Sequence, residues 1–285
     1  MHQPYLSRLP DPGSSNFNPA LWWEPISTQP AWRWSIYAYA GLLVVCLLAM
    51  GLDERTLHGV SVWSKPFKFS LSLVVYFATL AWAASLLPGG VREGKPFLAI
   101  VTISSAMALF EMIYITYQAG QGAASHFNFT TPLHATMYSL MGIGATLMVL
   151  VLLALAALIG RYNRLGHPLV LATVIGLVLT FVLGGGFGGY LGSQGGHWVG
   201  GTQSDATGTA LFNWSRSGGD LRVAHFFGMH AMQAIPLFAL SLQWLLPKRA
   251  SENAHITAII TFAVAYAAFS TMTFVQAVQG KPFLS

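Results

Sequence analysis

Charged residues are scarce in this sequence. Asp, Glu, Lys and Arg make up 8% of its 285 residues, against about 25% in an average soluble domain. Too few charges remain to cover a water-facing surface. The net formal charge of +5 comes without any basic run or patch. The basic residues are scattered at the ends of apolar stretches, which argues against a nucleic-acid partner and suits cations that snorkel to lipid headgroups. Cysteine is scarcer still. Cys46 stands alone, which excludes an internal disulfide, a CxxCH haem attachment and a cysteine-held iron–sulfur cluster. Any bound metal therefore falls to His, Met, Glu or a porphyrin.

What the chain has in abundance is apolar residues, at 54%. They gather in seven runs, at about 32–50, 65–88, 96–118, 132–160, 168–192, 222–246 and 255–279. About 20 residues at 1.5 Å rise cross a hydrocarbon core of ~30 Å. The expected fold is all-α: a polytopic bundle of seven transmembrane helices in one domain, residues 32–285. Residues 1–31 carry six prolines and several aromatics without a basic n-region. They read as an interfacial arm rather than a signal peptide, and Trp22, Trp23, Trp32 and Trp34 suit the headgroup zone.

An odd number of spans leaves the termini on opposite sides, here called A (N-terminal) and B. Eight Lys and Arg fall on A and six on B. That bias predicts an inner (plasma) membrane protein with its N-terminus in the cytoplasm and its C-terminus outside. The longest loop, about 193–221, lies on side B.

Polar groups are unevenly spread. Glu111 lies about two thirds of the way along span three, ~21 Å deep and in the B half. A carboxylate within a span is costly and marks a pathway, a relay or a ligand. Tyr114 and Gln118 lie at i+3 and i+7 on the same helical face. Glu111 is the candidate catalytic or proton-carrying group.

Three histidines reach a similar depth. His134 opens span four, and His225 and His230 lie near the start of span six, in Arg222-Val223-Ala224-His225-Phe226-Phe227-Gly228-Met229-His230-Ala231-Met232-Gln233. On an ideal helix His225 and His230 point about 140° apart, so they do not form a chelating pair. The reading is that His134 and His230, with His225 as substitute for either, hold a haem b or a transition metal ion through neutral imidazole. Met137, Met141, Met229 and Met232 lie nearby. Lys65, Lys68 and Arg222, also on side B, would hold anionic groups such as propionates. Gln233 joins them as a cofactor-binding candidate.

Other motifs carry less. Lys-Pro-Phe recurs at 65–67, 95–97 and 281–283, where proline suits a first helical turn. Gly184-Gly185-Gly186-Phe187-Gly188-Gly189 lacks the Lys-Ser/Thr of a phosphate loop, and its Gly185 and Gly189 are spaced for close helix contact. Asn128-Phe129-Thr130 and Asn213-Trp214-Ser215 match the glycosylation sequon. Span seven lacks the lysine of a rhodopsin. HFFGMH is similar only in its histidines to the HxxxH pair that seven-span zinc hydrolases of the ceramidase and adiponectin-receptor type carry in their last core helix.

These residues imply a membrane redox or metalloprotein with a His/Glu-lined cavity near the non-cytoplasmic face, with a quinone or other lipid-soluble molecule as its substrate. The competing reading is a proton-coupled small-molecule transporter centred on Glu111.

Overall fold

The computed structural model describes residues 29–245 and 251–284. The fold is an all-α bundle. Its helices are α1 (Pro30–Leu52), α2 (Ser64–Ala84), the short α3 (Gly89–Arg92), α4 (Lys95–Gly120), α5 (Pro132–Tyr162), α6 (Pro168–Ser193), α7 (Leu221–Met229), α8 (Ala231–Leu245) and α9 (Glu252–Val278). Six of these are long and apolar enough to cross a membrane, and α7 with α8, a pair bent at their junction, makes a seventh if the two count as one span. The protein is therefore a multi-pass membrane protein.

Local chemistry sets the helix starts. Proline occupies the first turn of α1, α4, α5 and α6, where its missing N–H is no loss and its fixed φ suits the helix. Side-chain oxygens cap three more N–H groups: Thr131 for His134, Asp220 for Arg222 and Ser251 for Ala254. The Lys-Pro-Phe segments at 65–67 and 95–97 begin helices as expected. The third does not, because Lys281-Pro282-Phe283 follows α9. There the Pro282 carbonyl accepts from Gln276, and Phe283 packs against Trp214 and Phe227. Of the expected N-terminal arm, residues 1–28, including Trp22 and Trp23, lie outside the described residues. Its last two residues, Pro30 and Ala31, already belong to α1.

Neighbouring helices pack in chain order: α1 on α2, α2 on α4, α4 on α5, α5 on α6, and α6 on both α7 and α8, with α9 closing over α6, α7 and α8. The main core fills the A half with Phe77, Leu80, Phe97, Leu152, Leu155 and Ile159, all fully buried. A smaller core joins Ala172, Ile235, Leu242 and Ile259 between α6, α8 and α9.

Span six, read from sequence as one continuous helix, is broken at His230 with a bend of 49°. The cause is a threonine from the neighbouring helix. The Thr180 hydroxyl of α6 accepts from the Met232 N–H at 2.8 Å and faces the Met229 carbonyl at 3.4 Å. It thus replaces part of the backbone ladder across the break. Pro236 inside α8 removes one more ladder bond. Glycines let α6 come this close. A Cβ on Gly184 would lie 2.8 Å from Met229 Sδ, and one on Gly228 would lie 2.7 Å from the Gly184 nitrogen. The close-contact glycines are therefore Gly184 and Gly188, not Gly185 and Gly189. A Cβ on Gly185 meets only Val149, and one on Gly189 meets nothing.

A polar cap covers side B. It contains the hairpin β1 (Thr56–Leu57) with β2 (Val60–Ser61), and the ladder of β3 (Trp198–Val199) with β4 (Gly219–Asp220). The two parts are stitched together. The His58 carbonyl accepts from the Asp205 N–H at 2.9 Å and from the Ser204 hydroxyl at 3.3 Å. At the hairpin turn, Gly59 has φ +82° and faces Ala206 where a side chain would collide.

Candidate functional site

Glu111 is 6% exposed, and its Oε1 is buried without a hydrogen-bond partner. The carboxylate lies against α5, 3.3 Å from where a Cβ on Gly144 would sit. A side chain at 144 would oblige the carboxylate to give by a few tenths of an ångström. Among the described residues, the charge that acts on it is the Lys65 ammonium from the first turn of α2. Lys65 is not paired directly with Glu111; its ammonium lies 5.8 Å above the Phe69 ring. An acid and a base thus share the bundle interior, and Oε1 at least is left unsatisfied. Buried polar atoms in native structures are nearly always satisfied, and Oε1 shares its lack of a partner with Ser70 Oγ and Thr116 Oγ1.

One turn toward side B, the polar stripe of α4 is fully engaged. Gln118 Nε2 donates to the Tyr114 hydroxyl at 2.7 Å and lies 3.0 Å from His134 Nδ1, and the Tyr114 hydroxyl also lies 3.0 Å from that Nδ1. Both partners reach Nδ1 with N–H or O–H groups. Nδ1 is therefore the acceptor, and the ring proton sits on Nε2. His134 is thereby held in the tautomer that does not present Nε2 to a metal.

His225 and His230 take the opposite tautomer. His225 Nδ1–H donates to the Gly184 carbonyl at 3.0 Å, and its ring packs where a side chain on Gly188 would sit. For His230 the assignment runs through a chain of donors. The Thr79 hydroxyl donates to the Val75 carbonyl, so it accepts from Gln233 Nε2 at 2.9 Å. Gln233 Oε1 then faces His230 Nδ1–H at 3.2 Å. Both histidines keep an Nε2 lone pair. The His230 ring lies 4.3 Å from Phe226 on the α2-facing side, whereas His225 faces α6. Among the described residues no three His, Cys, Asp or Glu come close enough to hold a metal ion.

The remaining cations are already occupied. Arg222 donates to Asp205 at 2.8 Å, to Asp220 at 2.7 Å and to the Asn213 carbonyl at 2.7 Å. Lys68 donates to the Phe212 carbonyl at 3.2 Å and to Asn213 Oδ1 at 2.9 Å. The two residues clamp the 193–221 loop onto the helices and leave Lys65 as the cation of the site. The sequon asparagines are engaged as well: Asn213 holds Lys68, and Asn128 bonds Ala124 and Thr130.

In the cap, His197 Nε2 lies 3.4 Å from Asp205. Burial pushes the His197 ring toward its neutral form. Burial also pushes the Asp205 carboxyl up, but hydrogen bonds from His197 and Arg222 outweigh it and hold the group at about 2. His126, in the loop after α4, has its ring 5.8 Å from Phe69 and 5.9 Å from Tyr138. Burial, then the Lys65 charge, drive it toward the neutral form.

Two side-chain tethers join α2 to the α7–α8 side, Lys68 with Asn213 and Thr79 with Gln233. Between them Leu71 and Ser72 are exposed. Sequence reading missed Thr79, Thr180, Gly144 and Asp205. A threonine or glycine in an apolar helix carries no signal of its own, and Asp205 sits in a loop with no periodicity to place it.

No protein-family model matches the chain, and no match appears among curated proteins or solved structures.

Proposed function

We propose that this protein binds a small polar molecule together with a proton from side B, and that Glu111 is the group that exchanges the proton. This is the reading of a proton-coupled small-molecule transporter. It rests on one observation above all: a buried carboxylate with an unpartnered oxygen, facing an ammonium that is not paired with it. Such a site favours a ligand that offers a donor to Glu111 and an acceptor to Lys65. The apolar packing of the A half and the polar groups of the B half favour side B as the face from which a polar molecule would approach. With the N-terminus cytoplasmic in an inner membrane, side B faces outward and the proton enters from outside.

The test uses the full chain in proteoliposomes carrying an internal pH dye, screened against a panel of small polar metabolites. Wild type should acidify the interior with at least one compound, and Glu111→Gln should abolish that signal. A response identical in Glu111→Gln, or none across the panel, would refute the proposal.

A second reading, a redox or metalloprotein, is favoured by a separate observation. His225 and His230 each have Nδ1 fixed as a donor, the arrangement that orients an Nε2 lone pair toward iron or another metal. A haem b or metal at His230 would serve a quinone or other lipid-soluble substrate that arrives from the bilayer. His134 would then serve Glu111 rather than the metal. An absorption spectrum with metal analysis on one gently purified sample tests this. A Soret band or stoichiometric metal, lost in His230→Ala, supports it, and a colourless, metal-free protein refutes it.

A further inference from the structure

We infer that Tyr114 and His134 form the path by which protons pass between Glu111 and side B; this rests on Glu111 being the proton-exchanging group. Glu111, Tyr114 and Gln118 share one face of α4 at i, i+3 and i+7. The Tyr114 hydroxyl touches His134 Nδ1 at 3.0 Å, and Gln118 donates to the Tyr114 oxygen at 2.7 Å. That leaves the hydroxyl proton of Tyr114 directed at Nδ1. His134 sits in the first turn of α5 at side B and is only half-buried. The stripe thus runs without a gap from the B edge to one helical turn from the carboxyl.

The step balances without electron transfer. On release, the Glu111 O–H bond breaks and its proton crosses one turn, through a water molecule, to the Tyr114 oxygen. The Tyr114 hydroxyl proton moves at the same time to His134 Nδ1. The imidazolium so formed gives its Nε2–H to water on side B. Delivery runs through the same bonds in reverse and ends with the proton on Nε2, the tautomer that the hydrogen bonds define. Lys65 on α2 is the charged group that faces Glu111, α5 faces it with the Gly144 backbone, and His126 beside Lys65 is the next titratable group. A path by His126 and Lys65 is the competing route.

The experiment is a pH jump on the full chain in lipid nanodiscs, followed by infrared spectroscopy of the Glu111 carboxyl band. That band is identified by its loss in Glu111→Gln. Tyr114→Phe and His134→Ala should each slow protonation at least about tenfold while leaving the titration midpoint unchanged. Added imidazole should restore the rate in His134→Ala and not in Tyr114→Phe, which a merely structural role for His134 would not produce. His134→Gln, which keeps a polar group at the site, should be slow as well. If the band titrates and Tyr114→Phe leaves its rate at the wild-type value, the relay is overturned while the proposed function stands. If no carboxyl band responds to Glu111→Gln, the proposed function falls and the relay falls with it.

Discussion

On side A the bundle closes with carbon. Phe77, Leu80, Phe97, Leu152, Leu155 and Ile159 are fully buried against one another, and a prominent polar contact there is Trp32 Nε1 donating to Ser104 at 3.0 Å. On side B the same helices meet through polar groups: Arg222 with two carboxylates, Lys68 with the 212–213 backbone and amide, His225 with Gly184, Gln233 with Thr79. The difference matters because lipid is as apolar as leucine. Carbon packing holds helices together without fixing one arrangement, whereas a buried hydrogen bond fails if its partner shifts by an ångström. The A half is tolerant and the B half specified. Within the specified half, Glu111 Oε1 is a carboxylate oxygen left without a partner.

The sharpest way to break that contrast is Arg222→Ala. It strands Asp220, whose side chain is fully buried, and Asp205, which is 10% exposed. Removing one partner from such a cluster costs about 3–5 kcal/mol. The expected result is rapid cleavage of the 194–220 loop in limited proteolysis and a large fall in Tm, while Leu152→Ile on side A changes little.

Next is Gly228→Ala. The added methyl would lie 2.7–2.9 Å from the α6 backbone at 183–184. Backbone does not yield as a flexible side chain does, so α6 and α7 must separate and the His225–Gly184 bond must lengthen. The expected loss is about 1–3 kcal/mol, read by thermal unfolding in detergent. Gly186→Ala, where a Cβ meets nothing within 4 Å, should be neutral or better.

Acid sharpens the comparison without mutation. Asp205 is held at about 2, below its ordinary value near 3.9. Its contribution to stability is therefore full above about pH 4 and is lost as pH falls through about 2. His197 is buried toward neutral, so its unfolded form binds a proton first as pH falls below about 6.5. Both signs agree: the cap loosens on acidification, in two stages. Hydrogen-exchange protection of residues 197–220, corrected for the intrinsic rate at each pH, should fall from pH 7 to pH 4, while amides of α5 near Leu155 stay protected. A cap equally protected at both pH values would contradict this.

The smallest effect is expected at the A surface. Arg164 and Glu252 form an exposed pair at 3.2 Å, and such pairs contribute about 0–1 kcal/mol. Arg164→Ala should leave Tm, the carboxyl band of Glu111 and any bound haem or metal unchanged.

The sequence by itself determined an all-α bundle of membrane-length apolar helices, because span length and apolar content follow from bilayer thickness. It determined the helix starts at Pro132 and Pro168, because proline chemistry is local. It also determined that Glu111, Tyr114 and Gln118 share a face, because helical spacing is fixed at 3.6 residues per turn. Tertiary structure alone decided the rest. Arg222 found Asp205 seventeen residues away in a loop, Thr180 broke the neighbouring span at His230, and Gly184 with Gly188 rather than Gly185 with Gly189 met the facing helix. The reason is common to all three. In a membrane both the inward and the outward face of a helix are apolar, so the pattern that reveals rotation in a soluble helix is nearly absent here. Which residues touch then depends on the rotation and register of packed helices, and those are set by the assembled bundle.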